Sequence, residues 1–156
     1  MKLMLDTGVL LEICAAGQHR DAKEWFRRIL LVASPPELLV SVLADFELRR
    51  ALHRKGATRS LEHFEDVSKA VRLVPVLAEA TRRAAALSSS AQSQLSDAGA
   101  IIAAQALADG AVLVTVDEEL CAVRGLEVRH WKRIDPDRLA DLEPGAPLEG
   151  PDPPLV

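Results

Sequence analysis

Four carboxylates occupy positions in this sequence where a charge is costly. Asp6 closes the apolar run KLML, and Glu47 lies in the helix-like stretch after ELLVS. Asp97 opens the Ala-rich stretch DAGAIIAAQALADG, and Asp117 follows the apolar run AVLVT by one residue. An acid at the edge of a hydrophobic core is rare unless something offsets its charge. If the fold gathers all four, a cation makes the cluster sensible. Hard divalent ions such as Mg²⁺ and Mn²⁺ take oxygen ligands of this kind. The chemistry this implies is metal-assisted hydrolysis of a phosphate ester.

Each acid also has a plain structural role open to it. Asp6 can cap the helix that follows it, and Asp117 can cap the short helix beginning EEL. Asp97 suits a first turn, where the helix dipole favours an acid, although the helix behind it is almost wholly apolar. Glu47, judged alone, reads as a solvated helix flank beside Ala44, Leu48 and Ala51. Four separate explanations that all fall near one sheet edge are weaker than one joint explanation. Arg50 and Arg54 follow Glu47 by three and seven residues, so they share its side of the helix and are candidates to grip a phosphate backbone. Otherwise the run from Arg49 to Arg59 is an ordinary solvated helix end.

The elements needed to place these residues alternate in type. Strands are expected at 1–6, 37–41, 71–76, 112–115 and 127–131. Helices are expected at 9–16, 20–32, 42–55, 59–70, 77–91, 97–108 and 118–123, with Thr58 as a cap. Pro75 marks the third strand as an edge. Such alternation predicts an α/β fold, a three-layer α/β/α sandwich with a mainly parallel central sheet. Ligands of such sheets bind beyond the carboxyl ends of the strands, where Asp6 and Asp117 lie. A single domain over 1–142 is expected, with a flexible Pro/Gly-rich tail over 143–156.

Composition narrows the class. The chain has 156 residues, 49% hydrophobic and 27% charged, which suits one globular core. No apolar run is long enough to cross a bilayer, and the N-terminus does not read as a signal peptide, so a cytoplasmic location without a membrane partner is expected. Cys14 and Cys121 lack metal-like spacing and read as small buried residues, which argues against zinc. A formal charge of −4 does not suit a general nucleic-acid coat, and 3% aromatics supply few platforms for stacking bases. Asp6-Thr7-Gly8 spells the triplet of aspartic proteases, but here it opens a helix rather than sitting in an all-β frame. The eight glycines form no phosphate-cradling loop.

LDTGVLLE, the Glu of FELRRAL, and LSDAGAIIAAQALADGAVLVTVDEEL together resemble a PIN domain, over Leu3 to about Leu120. The helix–strand–TxD unit is the most specific part. The short length and the ending HWKRIDPDRLADL look most like a VapC-type toxin of a toxin–antitoxin pair. The resemblance implies a compact α/β/α endoribonuclease using Mg²⁺ or Mn²⁺. Asp6, Glu47, Asp97 and Asp117 would form its acidic metal site, and Thr115 would be the supporting hydroxyl. It also implies an RNA substrate, a cognate antitoxin and a homodimer, for which the helices at 20–32 and 59–70 offer a surface. Two positions depart from the pattern. Gly8 stands where many members have Asn, implying a lost hydrogen bond and a looser backbone. Leu120 stands where an aromatic often follows the last acid. The rival readings are a housekeeping RNA-processing nuclease of the same chemistry and a non-catalytic PIN-like binding module.

Overall fold

The computed structural model describes residues 1–89 and 94–142. The tail expected beyond residue 142 and residues 90–93, which hold the expected end of the helix at 77–91, lie outside them. Among the described residues, five strands form one parallel sheet: β1 (Lys2–Leu5), β2 (Glu37–Ser41), β3 (Arg72–Val74), β4 (Val112–Val114) and β5 (Val128–Arg129), in the order β3-β2-β1-β4-β5. Leu3 pairs with Leu38 on one side and Val112 on the other. Leu3, Met4, Leu5, Leu113 and Val114 are wholly buried, as expected for central strands covered on both faces.

Among the described residues, six α-helices surround the sheet: α1 (Thr7–Cys14), α2 (Arg20–Leu31), α3 (Val42–Arg54), α4 (Thr58–Ser68), α5 (Ala78–Ser88) and α6 (Asp97–Asp109). The chain runs outward from β1 to β3, then returns to build β4 and β5 on the other side of β1. Right-handed crossovers put the helices of these two runs on opposite faces, giving three layers. Packing follows this division in the main: α1 meets α2, α3 and α4, and α5 meets α6, while α3 and α6 also meet across the two runs. The reversal makes a topological switch point between β1 and β4, whose carboxyl ends open onto the same crevice.

Local chemistry explains the helix starts. Asp6 caps α1, Ser41 caps α3 and Ser96 caps α6 with side-chain oxygens that accept backbone N–H groups. Gly110 ends α6 in the left-handed conformation (φ 61°). Thr58, expected as the cap of α4, is instead its first residue; Ala57 holds the cap position without a side-chain bond. Small residues let α6 sink into the core, with Gly99, Ala100, Ala103, Ala104 and Ala106 all buried.

The C-terminal part differs most from expectation. The last strand is only Val128–Arg129, and Trp131 begins a 3₁₀ turn rather than ending the strand. The cause is tertiary. Trp131 packs against Trp25 at 6.1 Å between ring centroids, and its Nε1–H donates to Glu12 at 2.6 Å. Trp25 Nε1–H donates to the Ile134 carbonyl at 2.9 Å, so the segment is fastened to α1 and α2. The cysteines also divide. Cys14 is buried, and burial pushes its thiol up to about 12. Cys121 is exposed, contrary to the expectation that both would be interior.

Candidate active site

Asp6 is the first residue beyond β1, and Thr115 the first beyond β4. The Asp6 N–H donates to the Val114 carbonyl at 3.0 Å, so the two strand ends are tied by backbone as well as by register. Both Asp6 carboxylate oxygens accept a hydrogen bond. The Thr7 N–H donates to Oδ1 at 2.7 Å, and the Thr115 hydroxyl donates to Oδ2 at 2.8 Å. Thr115 Oγ1 itself accepts the Asp117 N–H at 2.9 Å. A hydroxyl has one proton, and the amide supplies its own, so the Thr115 proton is directed at Asp6. Thr115 therefore links the acid after β1 to the acid two residues further along its own segment.

Glu47 enters from the second turn of α3. Its Oε2 accepts the Thr7 hydroxyl at 2.8 Å, across a sequence separation of 40 residues. Thr7 thus serves two acids, through its amide to Asp6 and its hydroxyl to Glu47. Periodicity gives no sign of this role; the one cue is a hydroxyl residue directly after an acid at a strand end. The reading of Glu47 alone as a solvated flank is corrected by this bond.

Asp6 is 9% exposed. Burial holds its pKa above the ordinary 3.8, and the charges of Asp117 and Glu47 push the same way. The bonds from Thr115 and Thr7 oppose the shift without cancelling it. Asp117 is exposed, and its Oδ1 accepts the Glu119 N–H at 2.9 Å, capping the 3₁₀ turn Glu118–Ala122. Asp97 is exposed in the first turn of α6. That turn lies close to Leu120: a Cβ on Gly99 would stand 3.6 Å from Leu120 Cδ2. The segments bearing Asp97 and Asp117 are therefore neighbours. Asp6 feels the charges of Glu47 and Asp117, and Asp97 stands on an element adjacent to that of Asp117.

None of the four acids is ion-paired among the described residues. Nor do three His, Cys, Asp or Glu side chains among them close into a ready-made metal cage. The donor set fits a hard cation in its chemistry: all oxygen, anionic, and including a buried carboxylate with no cationic side chain beside it. Arg50 and Arg54 are exposed on α3, and neither makes an ion pair among the described residues. Arg49, by contrast, is held by Asp45 at 3.1 Å and by Glu65.

Residues 3–126 match the PIN domain family model. The chain belongs to the PIN domain family. Solved structures of similar fold include VapBC2 from Rickettsia felis bound to a DNA fragment from its promoter, at TM-score 0.71 and 18% identity, covering 84% of this chain and 99% of that one. The Mycobacterium tuberculosis toxin VapC20, which cleaves the sarcin–ricin loop, matches at TM-score 0.66 and 22% identity, over 81% of this chain and 98% of that one. VapBC-1 from nontypeable Haemophilus influenzae matches at TM-score 0.67 and 19% identity, over 85% of this chain and 100% of that one. No curated protein matches in sequence. In this PIN domain, no helix among the described residues is long and apolar enough to cross a membrane.

Proposed function

We propose that this PIN domain is an endoribonuclease, the toxin of a type II toxin–antitoxin pair. One observation carries the reading: a buried carboxylate, Asp6, is clamped by two donors at the switch point, with Glu47 and Asp117 close enough to raise its pKa. Carboxylates at that crevice, with no cationic side chain acting on Asp6, suit a divalent cation and a phosphodiester better than a neutral ligand. Asp6, Glu47, Asp97 and Asp117 would hold Mg²⁺ or Mn²⁺, which when bound activates a water and offsets charge on the phosphate.

The chain's own residues do the positioning. Thr7 and Thr115 fix both oxygens of Asp6, so the carboxylate keeps one orientation while substrate exchanges. Thr7 holds Glu47 against α1, and the Thr115–Asp117 bond sets the backbone from which Asp117 projects. Arg50 and Arg54, without an ion-pair partner among the described residues, supply positive charge for the RNA backbone.

Solved neighbours that are VapBC complexes favour an antitoxin partner, whose basic segment would enter the acidic crevice. A homodimer is part of the same reading. The helices α2 and α4 are the surface offered for it: α2 leaves Leu30 and Leu31 exposed, while α4 turns Phe64 and Val67 inward. The test is RNA cleavage by purified protein in Mg²⁺ or Mn²⁺, stopped by EDTA. Undiminished cleavage by Asp6→Asn would show that the acids are not the site.

A further inference from the structure

Two cations stack on aromatic rings along α3, and the two pairs differ in kind. The Arg49 guanidinium lies 4.9 Å from the centroid of Phe64, a ring with no exposure, and Asp45 and Glu65 tie the same guanidinium. That pair is internal scaffolding. The Arg50 guanidinium lies 5.2 Å from the centroid of Phe46, which is 54% exposed. Arg50 has no carboxylate partner among the described residues, and neither has Arg54. Phe46, Arg50 and Arg54 follow one another at four-residue spacing, so they form one stripe along the helix. Phe46 directly precedes Glu47, and adjacent Cα atoms are only about 3.8 Å apart. The stripe therefore starts beside the acids and leads away along α3.

An exposed aromatic ring with an unpaired guanidinium over one face is a poor solvent surface and a good nucleotide surface. Bases stack on an open ring face, and guanidinium groups take the phosphates between them. A protein partner matched to this stripe would need carboxylates against Arg50 and Arg54 at the edge of a crevice that is already acidic. RNA brings phosphates to the arginines and a base to the ring, so its charge complements the whole stripe. We infer that Phe46 is a base-stacking residue. It would hold the unpaired nucleotide next to the scissile phosphate, with Arg50 and Arg54 gripping the backbone beyond it. This rests on the nuclease reading above and names the form of substrate it takes, a single-stranded segment.

The test is titration of a short single-stranded RNA carrying 2-aminopurine with the full chain in EDTA, so that binding is read apart from hydrolysis. The parent should raise anisotropy and quench the 2-aminopurine. Phe46→Ala should bind about tenfold more weakly, the scale of one base–aromatic stack, and lose the quenching. Phe46→Tyr should keep both. Phe46→Leu should behave like Phe46→Ala, because stacking needs a π face. Melting should hardly change in any of them, since the ring is half exposed. A parent that does not quench, or a Phe46→Leu variant that binds and quenches like the parent, overturns the inference. So does a fall in mass by light scattering for Phe46→Ala that Phe46→Leu restores, which would assign the ring to a protein contact. Cleavage in Mn²⁺ is scored separately. A parent that quenches through Phe46 but never cuts would sink the nuclease reading and leave the stacking role standing.

Discussion

Gly8 and Val116 fill one space between them. A Cβ on Gly8 would stand 2.6 Å from Val116 Cγ2, a separation that packed side chains do not tolerate. Gly8 does not have a positive φ, so glycine is here for room rather than for conformation. At Gly8, Val116 occupies the volume that a side chain would need. Val116 is β-branched and stiff, and cannot simply rotate away.

That pairing gives the first prediction. Gly8→Asn alone should destabilise the chain by about 1–3 kcal/mol, the usual cost of overpacking. For a domain of this size the melting temperature should fall by roughly 2–4 °C for each kcal/mol. Adding Val116→Ala should recover most of the loss. If the single variant melts with the parent, or the double variant is no better than the single, the two positions do not share one volume.

Thr115 gives the second prediction. Thr115→Val keeps the shape but removes the hydroxyl that joins the Asp117 amide to Asp6. A buried carboxylate oxygen and a backbone N–H would both lose a partner, at about 1–3 kcal/mol for each group left unsatisfied. Thr115→Ser should keep the bridge and most of the stability. RNA cleavage should fall in Thr115→Val even well below its melting temperature. Equal activity and melting in the Val, Ser and parent proteins would remove the bridge from the site.

The third prediction follows from the burial of Asp6. Its folded-state pKa is raised, so the folded chain holds this proton more tightly than the unfolded chain does. The resulting stability is fully present below the unfolded value near 3.8 and is lost as pH rises through the folded value. Exposed pairs such as Glu37 with Arg72 act in the opposite direction, so the parent alone is uninformative. The useful quantity is the melting difference between Asp6→Asn and the parent in EDTA. It should grow in favour of the variant between about pH 4 and pH 7. A flat difference would mean that Asp6 ionises in the fold as readily as in water.

The acids after the strands could be read from the chain because strand ends follow directly from apolar runs. Asp6 and Asp117 needed only the positions of KLML and AVLVT and the rule about parallel sheets. Glu47 needed more. Its partner Thr7 is 40 residues away, and no periodicity encodes a bond across that gap. Burial is the larger cause of the raised pKa of Asp6, and repulsion from Asp117 and Glu47 adds to it. The last strand is shorter than its sequence pattern suggests for a related reason: Glu12 and Trp25 recruit the Trp131 indole, and that tertiary demand overrides the strand propensity of VRHW.

The last prediction separates the four acids from acids in general. A cation that binds the folded crevice and not the unfolded chain stabilises the fold by mass action. At Mn²⁺ about 100 times its dissociation constant, the gain is roughly 2.7 kcal/mol. For a chain of this length that is a melting shift on the order of 5–10 °C. Asp97→Asn changes the charge with almost no change in shape, on an exposed first-turn residue of α6 with no partner to lose among the described residues. It should melt at or slightly above the parent in EDTA and shift much less with Mn²⁺. The control must be an acid of similar exposure whose loss is structurally cheap. Asp45 is unsuitable, since its carboxylate holds Arg49 at 3.1 Å. Asp66 is better, because its pair with Lys69 at 2.8 Å is highly exposed, and such pairs contribute little. Asp66→Asn should therefore follow the parent in both buffers. Should Asp66→Asn and Asp97→Asn respond alike to Mn²⁺, the ion is binding the acidic surface at large, and Asp97 does not belong with Asp6, Glu47 and Asp117.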